Sequence, residues 1–582
     1  MLRSRRWTIA DPDPRAEDLA RVLRTSTVIA QILLNRRLDD PASCQAFLSP
    51  KLSQLHPPEV IPGLERAAKR LAAAIRERQK VVIFGDYDVD GITATTILWH
   101  AILRLGGVAE FYIPHRIDEG YGLNAEALRQ VCDSGAQLIV SVDCGVTALE
   151  PADIPRSRGI DLVITDHHEW RTDEAGTPLL PNCHVVVHPR LGPDEAPNPH
   201  LCGAGVAFKL AWAVGQQLAG SSRVGEEFRE LLLDTTALVA LGTIADVVPL
   251  VGENRVLARF GLGGLKASRL TGLRALIRSA KLDGKDIDSF HVGFLLAPRL
   301  NACGRMGHAA LAVEMLTTAS EERALEIANY LEQQNRLRQA TERKIVEQAI
   351  EQIESLGLAD ADSRAIVVGA PDWHPGVIGI VASRLVDRYH RPTIVCALGE
   401  GHGHGSGRSI PGFHLSRALE ACSDLLQSHG GHEMAVGLRV APERFEAFRE
   451  AFRAHAASVI NPELLTPELL IDCEAELRHI NEGLVRDLER LGPFGHGNRR
   501  PLLCCRDLEL AAEPRRVGRN GDHLQLFVRQ KGVAMKAIAF RAGARFDELR
   551  RGRAVHLAVE PQINEWNGQS SVELAVKDLH VA

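Results

Sequence analysis

The chain alternates between two hydrophobic periods, and that alternation sets out its architecture. Residues 61–79 repeat apolar positions at helical spacing and lead into VVIFGDYDVDG, an apolar run that stops in acidic residues at a glycine. This is a buried strand entering a loop. VAEFYIP from Val108, QLIVSVDCG from Gln137, DLVITDHHE from Asp161 and HVVVHP from His184 repeat the unit, with helical or loop stretches between them. Buried β-runs alternating with helices predict a parallel, doubly wound sheet, followed by helices from about Gly205 to Leu241 and beyond.

The stretch from Ser320 to Leu356 is rich in Glu, Gln and Arg, free of Gly and Pro, and predicts one long connector helix. AIVVGA from Ala365 opens a second, smaller α/β region, with GVIGIVASRLVDRY as its helix and TIVCALG as another strand. The glycine clusters GEGHGHGSGRS and HGGHE read as loops. Beyond Asn461 the pattern becomes short alternating strands, HLQLFVR, MKAIAF and AVHLAVE, separated by the turns RNGD and NEWNG, which predicts a small OB-like β-barrel. The expected division is a helical N-terminal extension (1–60), an α/β domain (61–315), the connector (316–360), the smaller α/β domain (361–460) and the barrel (461–582).

Composition fits this multi-domain picture. At roughly 150 residues per domain, 582 residues suggest about four domains. With 45% apolar and 24% charged residues the chain is neither disordered nor repetitive. The apolar stretch Ala237–Val251 is interrupted by Asp246 well short of the roughly 20 residues of a membrane span. The N-terminal MLRSRRWTIADPDP has no apolar core behind its arginines, so a cytosolic protein with no membrane partner is expected. Eleven cysteines, an odd number with no C-x-x-C pair, argue against a disulfide framework and a thiolate zinc site. The net charge of −6 hides an asymmetry: Arg486–Arg553 holds 16 basic against 8 acidic residues, so that tract carries +8 and the remainder −14. The basic tract coincides with the barrel.

Candidate chemistry begins at Asp86, Asp88, Asp90 and Gly91, which match the first half of an EF-hand loop. The match fails because the twelfth position is Ile97, where a bidentate Glu is needed, and because a strand precedes the loop. What remains is three carboxylates just beyond the carboxyl end of a strand, where open α/β sheets place their ligands. Asp143 ends a second strand, and Asp166, His167 and His168 end a third; Asp246 is a further carboxylate in an apolar context. Such crowding is unfavourable without a cation, and carboxylates with one or two imidazoles suit Mn²⁺ or Mg²⁺. About five Asp side chains would offset two divalent cations, a pair that serves phosphoester hydrolysis.

In their order along the chain, GDYDVDG, SVDCG, TDHHE and GTIADVVPL resemble the four metal-binding motifs of the DHH phosphoesterase superfamily. PRLNACGRMGH, GVIGIVASRL, GSGRSIPGFHL and GGHEMAVGL look like the remaining RecJ-type blocks, and GPFGHGNRRPLL resembles the segment introducing that family's oligonucleotide-binding barrel. The resemblance runs from about Ala30 to the C-terminus. It implies a DHH domain, a DHH-associated domain and an exonuclease that degrades single-stranded DNA from the 5′ end. It further implies Asp88, Asp90, Asp143, His167 and Asp246 as metal ligands, His168 near the scissile phosphate, and Asp86 and Asp166 as supporting groups, Asp86 being also a candidate ligand and Asp143 and Asp166 candidate catalytic residues. Arg116, Arg305, Ser406 and Arg408 would hold the 5′ phosphate and backbone, with Arg299, Gly431 and His432 lining the path. On the barrel, Arg515, Arg516, Arg519, Arg529 and Lys536 with Phe527, Phe540 and Trp566 suit a single strand. A monomer is expected, with a single-strand-binding protein or a helicase as candidate partner. Two rival readings are a DHH phosphodiesterase acting on short oligoribonucleotides or cyclic dinucleotides, and a metal-free scaffold subunit of a replicative helicase.

Overall fold

The computed structural model describes residues 5–115, 119, 122–192, 197–305, 308–360, 362–399, 401–549, 553–566 and 568–582, without the side chains of Arg305 and Trp566. The chain packs as two compact bodies. One comprises Pro50–Arg338 with Gly492–Arg499; the other comprises Met1–Ser49, Gln339–Leu491 and Arg500–Ala582.

In the first body, α1 (Leu64–Arg76) precedes β1 (Lys80–Gly85), which leads into α2 (Val89–Arg104). With β2 (Val108–Tyr112), β3 (Leu138–Val142), β4 (Asp161–Thr165) and β5 (Val185–Val187), β1 forms a parallel sheet in the order β2-β1-β3-β4-β5. Its central strands are apolar along their length because both faces are covered. Val81, Ile83, Val140 and Val163 face a core shared with α2, α3 (Gly203–Ala219) and α4 (Glu226–Ala245), whereas Val82, Phe84, Ile139 and Ile164 pack on Leu128 and Val131. Parallel strands end at one edge, so the acidic loops after β1, β3 and β4 lie side by side. Next come α5 (Gly252–Leu265), α6 (Ala297–Arg305) and the long helix α7 (Glu321–Ser355), as the 320–356 pattern predicts.

In the second body, β6 (Ile366–Ala370), α8 (Ile378–Tyr389), β7 (Thr393–Leu398), β8 (Gly403–Arg408), β9 (Ser428–Gly431) and β10 (Ala435–Val440) form a mixed sheet in the order β9-β10-β8-β7-β6. Here the expectation of a Gly/Ser loop around Ser406 and Arg408 is corrected, because these residues lie on strand β8. Glycines alternate on its inner face for lack of room: a Cβ on Gly405 would meet Leu438 at 2.7 Å, and one on Gly407 would meet Val436 at 2.7 Å. The C-terminal strands β11 (Leu503–Leu510), β12 (Arg515–Val517), β13 (His523–Gln530), β14 (Val533–Ala539), β15 (Ala554–Trp566) and β16 (Gln569–Val581) close on themselves where β11 meets β13. The expected barrel is present. The N-terminal segment is not wholly helical: Arg6–Ile9 is a strand paired in parallel with Glu468–Ile471, and Trp7 donates through Nε1 to Asp578. A short alternating segment whose pairing partner lies so far along the chain leaves little local pattern to read.

Among the described residues, no helix is long and apolar enough to cross a membrane. The eleven cysteines are free thiols, ten of them buried.

Candidate metal centre and phosphate cradle

The loop after β1 turns on Asp88, which caps α2 by accepting from the N–H groups of Asp90 (2.9 Å) and Gly91 (3.1 Å). Asp90, in the first turn of the helix, is buried and accepts from Gly203 N–H (2.5 Å) and Ala204 N–H (2.9 Å) at the first turn of α3. Two helix N-termini therefore converge on one carboxylate. Asp143, just past β3, adopts a left-handed backbone (φ +63°), a conformation that Asp tolerates better than most residues, and is 1% exposed. Asp246 caps the C-terminal end of α4.

After β4 the triplet divides its work. Asp166 accepts from Val146 N–H (2.9 Å), His167 N–H (2.8 Å) and His168 N–H (3.1 Å), and its Oδ1 lies 2.8 Å from His168 Nδ1. Its oxygens are engaged in orienting the loop and the His168 ring. His167 points Nε2 into the carboxylates, 3.1 Å from Asp143, 3.6 Å from Asp246 and 3.7 Å from Asp90. That nitrogen is buried without a hydrogen bond.

Three sets of potential ligand atoms, each within 4.8 Å of one another, result: Asp86, Asp88 and Asp143; Asp90, His167 and Asp246; and Asp143, His167 and His168. All six expected metal ligands meet. The electrostatics follow from crowding and burial. Burial, followed by the repulsion of neighbouring carboxylates, raises Asp143 well above the ordinary range and Asp246 to about 8. Burial also raises Asp90, against the pull of His167, and lowers His167 to about 4, so this imidazole is neutral and its Nε2 can act as a ligand. For His168, burial is outweighed by the Asp166 hydrogen bond and by the surrounding carboxylates, which raise it to about 9. For Asp166, burial is outweighed by its hydrogen bonds, and it falls to about 2.

Close packing also needs Gly203, which lies outside the quoted motifs, and Gly242, which opens GTIADVVPL without being a ligand. A Cβ on Gly203 would meet Asp143 Cβ at 2.5 Å, and one on Gly242 would meet Asp90 Oδ1 at 2.4 Å. Asn301 on α6 accepts from Val89 N–H (3.2 Å), tying that helix to the acidic loop. Backbone donors carry no motif, and Asn301 lies within PRLNACGRMGH without a role assigned to it there. The CGAG run at the start of α3 is a further signal that could have been followed.

In the second body, Arg408 lies beside the first turn of α8, where a Cβ on Gly379 would meet its Nη2 at 3.2 Å and Ser406 Oγ at 3.0 Å. Its Nη1 donates to Gly407 O (2.7 Å) and Ser406 Oγ (3.2 Å), and burial alone lowers its pKa. No carboxylate pairs with it among the described residues. His432 donates through its N–H to Ala435 O (2.9 Å), and Ala435 is the register partner of Arg408, so Ser406, Arg408, Gly431 and His432 share one end of this sheet. The cradle is cationic and hydroxyl-bearing.

The remaining expected contacts are placed unevenly. Arg299 is 9% exposed, donates to Leu295 O (2.5 Å) and pairs with Glu332 (2.7 Å) on α7, so its charge is engaged within the body. Arg305 ends α6, and its side chain, like all of Arg116, lies outside the described residues. On the barrel Arg515, Arg516, Arg519 and Arg529 are exposed; Arg516 lies over the Phe546 ring (5.0 Å), while Lys536 pairs with Glu573 (2.7 Å). Phe527 and Phe540 are exposed, and the Trp566 side chain is outside the described residues.

Comparison with known proteins agrees with this layout. Residues 80–243 match the DHH family, N-terminal domain; residues 362–458 match the DHHA1 domain; residues 471–578 match the RecJ OB domain. The chain is 37% identical to the single-stranded-DNA-specific exonuclease RecJ of Bacillus subtilis, over 99% of this chain and 71% of that protein. It is 32% identical to the protein of that name in Escherichia coli, over 94% of this chain and 99% of the relative. Among solved structures, RecJ of Thermus thermophilus in complex with Mn²⁺ superposes with a TM-score of 0.83 at 31% identity, covering 100% of this chain and 80% of that one. The Mg²⁺ complex gives 0.77 at 30% identity, covering 99% and 78%.

Proposed function

Since this chain belongs to the RecJ family of single-stranded-DNA-specific exonucleases, we propose that it hydrolyses phosphodiester bonds from the 5′ end of single-stranded DNA, releasing 5′-mononucleotides in recombination and repair. The observation that carries this reading is the meeting of Asp86, Asp88, Asp90, Asp143, His167 and Asp246 at one edge of the parallel sheet. The donor set fits Mn²⁺ or Mg²⁺, being rich in carboxylate and free of thiolate, with a buried neutral imidazole nitrogen that lacks a hydrogen bond. Asp86, Asp88 and Asp143 would hold one ion and Asp90, His167 and Asp246 the other, with Asp143 between the two groups. When bound, the two cations supply Lewis acidity, lowering the pKa of an attacking water and neutralising phosphate charge.

The chain's own residues supply the rest. The Asp166 hydrogen bond keeps His168 protonated and directs Nδ1 inward, so Nε2–H is the donor offered to a non-bridging phosphate oxygen as charge develops there. Arg408 and Ser406 would grip the strand's 5′ phosphate, and Arg515, Arg516 and Arg519 its backbone, with Phe527 and Phe540 as stacking surfaces. Water adds at phosphorus, the P–O3′ bond breaks, and the proton lost by water ends on the departing oxygen or in solvent.

The complete ligand set disfavours a metal-free scaffold, and the barrel disfavours a phosphodiesterase of dinucleotides. Within this reading the enzyme acts as a cytosolic monomer, and its protein partners are a single-strand-binding protein or a helicase that works on the same strand. The test is Asp143→Ala, which is expected to fold and bind a 5′-phosphorylated strand without cutting it. Retained cleavage would refute the assignment.

A further inference from the structure

Asp246 is held on an uncomfortable stretch of backbone. The next residue, Val247, is β-branched yet adopts φ +60° in the left-handed region, with its side chain 62% exposed. That conformation is sterically disfavoured for valine and persists only where neighbouring structure imposes it. Two contacts hold the segment that follows: Leu250 N–H donates to His496 O (2.8 Å), and the first turn of α5 bonds Pro249. Asn254, fully buried, donates through Nδ2 to Pro249 O (3.1 Å) and to His200 O (2.6 Å). Its Oδ1 accepts from Asn198 Nδ2 (3.1 Å), and Asn198 Oδ1 in turn accepts from His200 N–H (3.3 Å).

These bonds join two segments that share one task. Residues 198–202 lead into the first turn of α3, whose Gly203 and Ala204 N–H groups hold Asp90, while Pro249 follows the turn at Asp246 and Val247. Asp90 and Asp246 belong to one ligand set with His167. The adjacent Glu253 anchors the same turn of α5, accepting from Lys209 Nζ on α3 (2.5 Å) and from His56 N–H (2.6 Å). A single amide, donating through its nitrogen and accepting through its oxygen, thus ties both sides of that half of the cluster together. Asp at this position would present no donor and would set a carboxylate against two carbonyls.

We propose that Asn254 is a positioning residue for the Asp90–His167–Asp246 half of the metal centre, fixing the spacing between the α3 N-terminus and the Asp246 turn. The inference rests on the two-cation reading of the site. Asn254 bonds none of the six ligands itself, but of the segments it ties, one leads to the N–H groups that hold Asp90 and the other follows Asp246, so its loss is expected to bear chiefly on that half, whereas a general loss of stability would weaken both.

The experiment is a Mn²⁺ titration of the full chain by calorimetry and electron paramagnetic resonance, for wild type, Asn254→Asp, Asn198→Ala and Asp143→Ala, with melting curves in chelator. In Asn254→Asp one Mn²⁺ equivalent is expected to weaken by about 10–100-fold, the usual effect of removing a group that orients metal ligands, while the other keeps its affinity. Asn198→Ala removes one bond of the network and serves if Asn254→Asp does not fold; it is expected to weaken the same equivalent by a smaller factor. Unchanged binding of both equivalents, or equal weakening of both in step with the melting temperature, would overturn the proposal. Asp143→Ala separates the two readings: if it still binds two Mn²⁺ ions, the two-cation site itself is wrong, whereas loss of binding there with no selective effect in the other variants rejects only the role of Asn254.

Discussion

Arg408→Met removes the guanidinium of the phosphate cradle while keeping most of the apolar stem. In the folded protein that guanidinium is partly buried beside Gly379 and makes two hydrogen bonds to uncharged acceptors, Gly407 O and Ser406 Oγ. Losing them costs about 1.5 kcal/mol each, the lower end for bonds made by a charged group. Against this, the substitution removes a desolvated cation whose pKa is already lowered by burial, a relief of about 1–3 kcal/mol. The two largely offset each other, so stability should fall by no more than about 2 kcal/mol. Binding should behave otherwise, because two charge-assisted bonds to a terminal phosphate are worth about 3–5 kcal/mol together, or roughly 10²–10⁴-fold in affinity. The assay is fluorescence anisotropy in chelator with matched oligonucleotides carrying a 5′ phosphate or a 5′ hydroxyl, beside urea denaturation of both proteins. The variant should lose its preference for the phosphate and keep its midpoint within that margin. An equal loss for both oligonucleotides, or destabilisation by several kcal/mol, would show that Arg408 is structural.

Two further outcomes follow from charge. In chelator, stability should fall as pH rises, because the raised Asp246 keeps a proton in the folded state that the unfolded state releases above about 4; the stability it contributes is present below that pH and lost as pH passes about 8. His167, lowered to about 4, works in the opposite sense below its ordinary range near 6.5, and His168, raised to about 9, adds to the fall above it, so between about pH 6.5 and 8 the share of Asp246 is read as the difference between wild type and variant. There Asp246→Asn should flatten the wild-type slope by up to about 1.4 kcal/mol per pH unit, read from urea midpoints, and an unaltered slope would remove the carboxylate repulsion from the account. On the barrel, Arg515→Ala with Arg519→Ala should weaken binding to strands of every sequence and reduce the salt slope of log K by roughly 0.7 for each phosphate no longer neutralised; an unchanged slope would place the strand elsewhere.

Most of the metal centre is legible along the chain because its ligands end apolar β-runs, and parallel strands bring their ends to one edge. Asp86, Asp143 and His167 are each announced by the strand before them. What completes the site is announced at most in part, since Gly242 opens GTIADVVPL but that motif points to Asp246. Gly203 and Ala204 act through backbone N–H groups, Gly242 acts by having no side chain, and Asn254 is a polar residue whose partners lie up to 56 positions away. The cradle shows the converse failure. The alternation of Gly403, Gly405 and Gly407 with His404, Ser406 and Arg408 has the period of a strand, but glycine suggests a loop until the tight packing of Leu438 and Val436 gives it a reason. The ion pair that engages Arg299, a residue expected to line the path, leaves no local pattern because Glu332 lies on another helix.

The most direct test of the central claim is a digestion time course of one single strand labelled at either its 5′ or its 3′ end, with Mn²⁺, with Mg²⁺ and with chelator. The account predicts early release of the 5′ label as a mononucleotide, gradual shortening of the 3′-labelled strand, and no reaction in chelator. Cleavage that persists in chelator, or early release of the 3′ label, would contradict it.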